Sequence, residues 1–529
     1  MKHTSLLRKM TVAALNCVLC CTGMTIPAFS ADETAELPAR FDWREEEPEI
    51  LTPVKKQVGG TCWAYATVGC AEANLALKGL ADNSIDLSET HLIWFTLGQG
   101  APTDPDDPRS GGGRNLGAAA YNTGSNHVEA IAALVAWQGF ANEEDAPQHS
   151  EKPIVDESLR YNSVAHLQNA MFFSYNRENH SRFIKQLIME TGPVYLSYSH
   201  NTNHRFSDKQ GYYNPDYNSQ VSNGNKHAVV IVGWDDNFSR NDFNEEAPGD
   251  GAWIVRNSWG SYRDYFYISY YERLISGIAT FDCESSVNYG SNYCYHGSDV
   301  NLKSLPGANY GYYTANVFEA EKSEKLAAAG FYLLGFTSDP KEYELSLYLL
   351  NSDPSDPQDG TLVYKTVGTK EKNGFYTMKF PESIAVNKGQ KYSVVLKTSI
   401  GNSCYFDGSC YKKGASYYAF YTADSADEKL DWQDCFENER GDACLHVYTE
   451  YEGETESFIR GDINRDGKVN AVDLTLLKQV LLGSERTDID RKAADWNEDE
   501  EINAEDAQSL MGYLLLVSEK NITQSHVIS

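Results

Sequence analysis

The sequence predicts a multidomain chain: an α+β domain first, an antiparallel β-sandwich second, and a small all-α calcium-binding module at the end. Three observations carry this. A glycine-rich turn, Gln57-Val58-Gly59-Gly60-Thr61, delivers Cys62 to an apolar, alanine-rich run over 63–78 that Gly79 closes as a helix stop. From about residue 300, short alternating runs rich in tyrosine, valine and leucine are broken by Gly, Asp, Pro and Asn, the pattern of a sandwich. Beyond an acidic linker at 450–456, one twelve-residue acidic loop occurs twice, displaced by 33 residues.

A thiol with a pKa near about 8.5 is mostly protonated at neutral pH, and a helix N-terminus or a neighbouring imidazolium lowers it. Cys62 stands where a helix begins. Downstream, His227 opens the β-branched run Ala228-Val229-Val230-Ile231-Val232-Gly233-Trp234, and Asn257 ends the run Trp253-Ile254-Val255-Arg256 ahead of Ser258-Trp259-Gly260. With Gln57 these segments resemble the papain-like cysteine peptidases, in that family's order of Gln, Cys, His and Asn. The flanking text agrees. Phe41-Asp42-Trp43-Arg44 is similar to the family's mature N-terminus, Leu87-Ser88-Glu89 to the segment after its catalytic helix, and Gly192-Pro193-Val194 to the strand entry before its histidine. The resemblance covers roughly 37–285.

It implies an α+β papain-like fold and hydrolysis of peptide bonds without a cofactor. His227 takes the Cys62 proton and returns it to the leaving amine, and Asn257 holds the imidazole tautomer. Gln57 and the N–H of Cys62 form the oxyanion hole, and Trp259 shields the His–Asn hydrogen bond from water. Gly124, Ser125 and Asn126 are placed, by position, on the backbone edge that pairs with an extended substrate. A helix-capping turn is the other reading of those three. Departures from the family bear on the mechanism. Gly59 stands where the family has a cysteine, the partner cysteine near Phe95 is missing, and Gln57 lies one residue closer to Cys62 than usual. The long separations between Cys62, His227 and Asn257 predict insertions, at 98–113 and 236–250.

Residues 1–30 read as a signal peptide: Lys2, Arg8 and Lys9, an apolar stretch, then Ala28-Phe29-Ser30. Cys17, Cys20 and Cys21 lack the context of a lipid anchor. Cleavage before Ala31 leaves too few residues ahead of Phe41 for a long inhibitory propeptide. No further stretch is apolar over the length that spans a bilayer, so a secreted, extracellular protein is expected. The formal net charge of −30 excludes nucleic acid and anionic membrane as partners. Past the signal remain Cys62, Cys70, Cys283, Cys294, Cys404, Cys410, Cys435 and Cys444. Cys62 and a buried Cys70 are expected free, and proximity makes Cys283–Cys294, Cys404–Cys410 and Cys435–Cys444 the simplest bridges, though spacing does not fix connectivity. The lack of any CxxC pair argues against zinc.

Strands are predicted over 325–334, 344–350, 361–367, 374–380, 391–398 and 415–422. Residues 318–449 resemble the lectin-like sandwich that follows the peptidase in some bacterial papain-like proteins. Carbohydrate is a candidate partner for it, with packing against the peptidase the favoured role. In the repeat, Asp462, Asn464, Asp466, Asn470 and Asp473 supply oxygen side chains and Lys468 a backbone carbonyl; Asp495, Asn497, Asp499, Asn503 and Asp506 repeat them, with Glu501 in the carbonyl position. Apolar helical runs at 474–482 and 507–516 follow. Two such half EF-hands resemble a dockerin, which implies two Ca²⁺ ions and a cohesin partner on a cellulosome scaffold; Glu500, where the turn favours glycine, strains the second loop. The expected domains are a signal at 1–30, a peptidase at 31–295, a sandwich at 300–450, a linker at 451–460, a dockerin at 461–520 and a tail at 521–529. The predicted function is a secreted, dockerin-borne cysteine peptidase. A catalytically spent fold that binds glycan or peptide is the alternative, and the intact set Gln57, Cys62, His227 and Asn257 speaks for the enzyme.

Overall fold

The computed structural model describes residues 36–98, 114–148, 154–201, 209–216, 226–260, 263–297, 302–305, 309–335, 340–351, 355–408, 410, 412–423, 430–451, 460–465, 468–483, 489–496 and 501–525. The expected signal peptide, almost all of the 98–113 insertion, most of the linker and the loop residues Asp466, Asn497, Asp499 and Glu500 lie outside them. The chain forms two compact units, 1–450 and 451–529. No helix among the described residues is long and apolar enough to cross a membrane.

The cysteine helix, Cys62–Leu77, buries every residue from Trp63 to Leu75. A helix that is apolar all round must be covered on all sides. One side lies on a sheet whose inner strands, Lys226–Asp235 with its β-branched run and Val194–Ser199, pair antiparallel. The opposite face of that sheet packs a second core that includes Phe41, Trp43, Ile184, Trp234 and Trp253, and Trp43 Nε1 donates to Ile188 O at 3.0 Å.

The sheet does not stop at the expected domain boundary. Its order runs from the peptidase strands through Ile275–Ser285 and Ala165–Phe173 into the sandwich strands Asn373–Val386, Glu324–Gly335 and Leu445–Glu450, and ends on Tyr289–Tyr293. The joint is Phe172 opposite Asn373, Met171 opposite Gly374 and Ala170 opposite Phe375. Gly374 is required there, because a Cβ would sit 2.3 Å from Ala170 O. Asn169 and Gln168 extend the joint by accepting from Thr377 N at 2.9 Å and from its hydroxyl at 2.6 Å. A six-stranded sheet faces this one. It is ordered Gly360–Lys370, Lys341–Leu350, Lys391–Thr398, Gly311–Glu319, Ser416–Tyr421 and Gln433–Asp434. One continuous cluster of buried side chains reaches from Trp63 of the cysteine helix to Val447 of the sandwich.

The alternation of the sandwich runs places five strands within three residues of their observed limits, while the run at 374–380 stops six residues short of the end of Asn373–Val386. The strands Gly311–Glu319, Leu445–Glu450 and Tyr289–Tyr293 are not flagged by it. The expected bridges are corrected: no disulfide joins any of the eight described cysteines. Cys404 Sγ points at Cys444 O at 3.8 Å and Cys410 Sγ at the Asp407 carboxylate at 3.4 Å, so neighbours in sequence are held by different partners in space.

Burial holds three peptidase histidines well below their usual 6.5, His91 and His127 at about 4 and His166 at about 3. Between pH 6.5 and 4 the unfolded chain binds protons that the folded chain does not, so stability is present above 6.5 and is lost on acidification, by about 1.4 kcal/mol per pH unit for each such histidine. Urea midpoints of the 1–450 unit are therefore expected to fall steadily from pH 7 to pH 5; a flat profile over that interval would contradict the neutral, buried state of these rings.

Candidate functional site

Cys62 is the first residue of its helix, and the cap preceding it is unusual. The Thr61 hydroxyl donates back to Val58 O at 2.9 Å and does not cap the helix. The main-chain N–H groups of Cys62 and Trp63, and that of Ala228 from the facing strand, are directed at the Cys62 sulfur and favour its thiolate. Burial works against them and is the larger effect, leaving the thiol raised. The turn ahead of it is fixed by Gly59, which has φ of 74°. A Cβ there would lie 2.1 Å from Tyr121 O. This explains the departure noted in the sequence: the position that carries cysteine in the family is here pressed against the carbonyl of Tyr121 and the side chain of Asn122, and no side chain fits.

His227 is the second residue of its strand and pairs with Tyr198. Its Nε2 lies 2.9 Å from Asn257 Oδ1, and an amide oxygen only accepts, so Nε2 carries the hydrogen and Nδ1 is the basic nitrogen. The same oxygen accepts from Ser258 N at 2.9 Å, which fixes the amide's orientation. Trp259 stacks on the imidazole with centroids 5.0 Å apart and planes at 21°. Burial pushes His227 down to about 4, opposed by the bond to Asn257 and assisted by His200.

His200 is the residue that the sequence does not signal. It packs edge-on to both Trp259, at 5.7 Å, and His227, at 6.3 Å, and its Nδ1 lies 3.1 Å from the Tyr198 hydroxyl. Only strand register marks it, two residues beyond Tyr198.

Gln57 is tied to the asparagine segment. Its N–H donates to Ser258 O at 2.7 Å, and its Oε1 accepts from the Ser258 hydroxyl at 2.7 Å. These bonds aim Nε2 at the turn, where one hydrogen goes to Gly59 O at 2.9 Å. Gly124 lies beside the same turn, its N 3.6 Å from where a Gly60 Cβ would be. Asn126 caps the helix His127–Val135 by accepting from Val128 N and Glu129 N, and the Ser125 hydroxyl bonds Glu129. The side chains of Ser125 and Asn126 thus serve the capping turn, and Gly124 is set against the turn of Cys62. Behind the site, Lys55 joins Glu72, at 2.8 Å, to Asp86 and Glu89, and a cavity of about 20 Å³ between Glu72, Arg256 and Asn257 has room for one water.

In the smaller unit the two halves of the repeat are built alike. Asp473 accepts from Ile463 N and Asn470 N, each at 2.8 Å; Asp506 accepts from Trp496 N and Asn503 N, each at 2.8 Å. The helices begin at Ala471 and Ala504, earlier than their apolar runs, because Asn470 and Asn503 cap them and the aspartate falls in the first turn. Ile463, Leu477, Ile489 and Leu510 form the core. Buried Asp462, Asp473 and Asp506 are the hard oxygen donors that calcium takes, and together with Asn464, Asn470, Asp495 and Asn503 and the carbonyls of Lys468 and Glu501 they would hold it.

Comparison with known proteins gives three matches: the papain family cysteine protease over residues 37–290, a lectin like domain over 301–449 and the dockerin type I domain over 460–515. The chain is 29% identical over 236 residues to a cysteine protease of Blomia tropicalis, covering 42% of this chain and 58% of that one. It is 27% identical over 250 residues to cathepsin J of Rattus norvegicus, covering 47% and 64%. The chain thus spans about three fifths of the length of these curated relatives. Among solved structures, the cysteine protease and lectin-like domains of Cwp84, a surface layer associated protein of Clostridium difficile, align over 78% of this chain and 89% of that one at 21% identity and TM-score 0.59. That likeness shows the fold. The chain is built of a papain-family cysteine peptidase domain, a lectin-like domain and a dockerin type I domain.

Gly59→Ala is expected to cost at least about 2 kcal/mol, from the left-handed backbone together with the clash on Tyr121 O. Urea unfolding of the full chain measures it; a loss under about 0.5 kcal/mol would show that the turn is not clamped.

Proposed function

We propose that the chain hydrolyses peptide bonds through Cys62, His227 and Asn257, and that its dockerin, loaded with two Ca²⁺ ions, carries the enzyme to a cohesin on an extracellular cellulosome scaffold. The observation that supports the chemistry best is the 2.9 Å bond from His227 Nε2 to Asn257 Oδ1, which leaves Nδ1 as the base. The Ala228 N–H directed at the sulfur sets Cys62 beside the histidine strand. Burial favours the neutral thiol and the neutral imidazole separately. Moving the proton from Sγ to Nδ1 creates two opposite charges, and in low dielectric their attraction offsets that cost.

The thiolate then attacks the scissile carbonyl carbon. The N–H of Cys62 and the second hydrogen of Gln57 Nε2 face the oxyanion, His227 passes its proton to the leaving amine, and water admitted to Nδ1 completes hydrolysis of the acyl-enzyme. Trp259, lying over the imidazole, keeps water from the bond to Asn257. Gly124 offers backbone to an extended peptide. In the dockerin, the repeat matches Val472, 53% exposed, with Glu505, and Lys478 with Met511, 42% exposed, so the two halves present faces that differ in charge and size. With Lys478 opposed to no like charge in the second half, one orientation on cohesin is favoured.

Cys62→Ala and His227→Ala are each expected to abolish peptide hydrolysis with the thermal transition of the 1–450 unit nearly unchanged, and Asn257→Ala to leave partial activity. A thiol-directed epoxide inhibitor should add to Cys62 alone. Full activity in Cys62→Ala would overturn the mechanism.

Removal of calcium should unfold the smaller unit and abolish cohesin binding while the larger unit stays folded, since Asp462 and Asp473 in one loop, and Asp495 and Asp506 in the other, repel without a cation. Circular dichroism and calorimetry on the full chain follow both events. Undiminished cohesin binding in excess chelator would contradict it.

A further inference from the structure

Cys294, His296 and His446 meet in the interior where the strand Tyr289–Tyr293 leaves the peptidase and pairs with the sandwich strand Leu445–Glu450. All three are buried, and one candidate ligand atom from each, a sulfur and two ring nitrogens, lies within 4.8 Å of the others. The two imidazoles meet edge to face, Nε2 to Nε2, at 2.6 Å.

Their far nitrogens decide what lies between them. His296 Nδ1 is 3.0 Å from Gly297 O, and His446 Nδ1 is 2.8 Å from Asn292 Oδ1. Asn292 Nδ2 donates to Val135 O at 3.0 Å, so the atom that Asn292 turns toward His446 is its oxygen. Both partners only accept. In the neutral rings each Nδ1 therefore carries the hydrogen, and the two Nε2 atoms present lone pairs to one another. Lone pairs at that distance repel, and a cation between them removes the conflict. Imidazoles whose far N–H is held by an oxygen acceptor are also how proteins orient metal ligands.

We propose that Cys294 Sγ, His296 Nε2 and His446 Nε2 bind a transition-metal ion of the zinc class, which fastens the last strand of the peptidase to the sandwich. Thiolate and imidazole select such ions over Ca²⁺, so the site is chemically distinct from the dockerin loops. On binding, the Cys294 thiol releases its proton to solvent, and the ion accepts one electron pair from sulfur and one from each ring. The rings part until both nitrogens reach bonds of about 2.0–2.1 Å. A divalent ion then leaves one net positive charge. The buried Asp407 carboxylate, which accepts from Gly297 N at 3.0 Å, lies one residue along from His296 to balance it. The sequence hid the cluster, because a Cys-x-His pair completed by a histidine 150 residues later matches no spacing rule for zinc.

The test uses the full chain carrying Cys62→Ser, so that the catalytic thiol is silent, in saturating calcium. Cobalt(II) is expected to bind one per chain with a thiolate charge-transfer band in the near ultraviolet, to be displaced by Zn²⁺, and to lose that band in Cys294→Ser. His446→Gln should weaken cobalt binding at least tenfold, and Asn292→Ala about tenfold. Should these variants fail to fold, chelator-stripped Cys62→Ser protein still decides: Zn²⁺ should raise the thermal transition of the 1–450 unit by about 2 °C or more. A band that survives Cys294→Ser, the absence of both band and thermal shift, or an NMR resonance for a proton shared by the two rings in zinc-treated protein would each overturn the proposal.

Discussion

The short antiparallel joint between Ala165–Phe173 and Asn373–Val386 is the constraint on which the larger unit depends. A papain-type sheet ends in an edge strand, and an edge strand left open is a template for aggregation. Here the edge is used up. The sandwich supplies the next strand, the core runs through the joint, and the sheet ends instead on Tyr289–Tyr293. Ala170, Gly374 and Thr377 thus hold together two domains that composition alone sets apart.

Within that frame the site is governed by a contest between burial and hydrogen bonding. Burial favours the neutral forms of both Cys62 and His227, and it is opposed by main-chain dipoles that favour the thiolate and by the Asn257 amide oxygen on the ring. Such an arrangement costs little to hold and is worth most when charge appears. The charged groups stand one layer back, where Lys55 bridges Glu72, Asp86 and Glu89 behind the helix.

The loss of the family's cysteine at Gly59 shows how a covalent brace is replaced. A disulfide narrows the turn's conformations by a bond, whereas Gly59 narrows them by contact with Tyr121 O and by a backbone angle few residues adopt. Gln57 follows the same logic. Its shift by one residue is absorbed through Ser258, which grips the amide and joins the Gln57 loop to the asparagine segment.

The sequence by itself determined whatever is written in local pattern. Cysteine, histidine and asparagine motifs announced the peptidase chemistry, period-two runs marked six sandwich strands, and identical loop residues 33 positions apart marked the calcium module. These signals are local because backbone geometry, capping and metal loops are built from neighbours in the chain. Only the tertiary structure decided the rest: the strand joint at Gly374, the place of His200 beside the site, the unbridged state of the described cysteines and the meeting of Cys294 and His296 with His446. Each of these is a contact between distant segments, set by which strands pair and in what register, and register follows from burying one face of every strand at once.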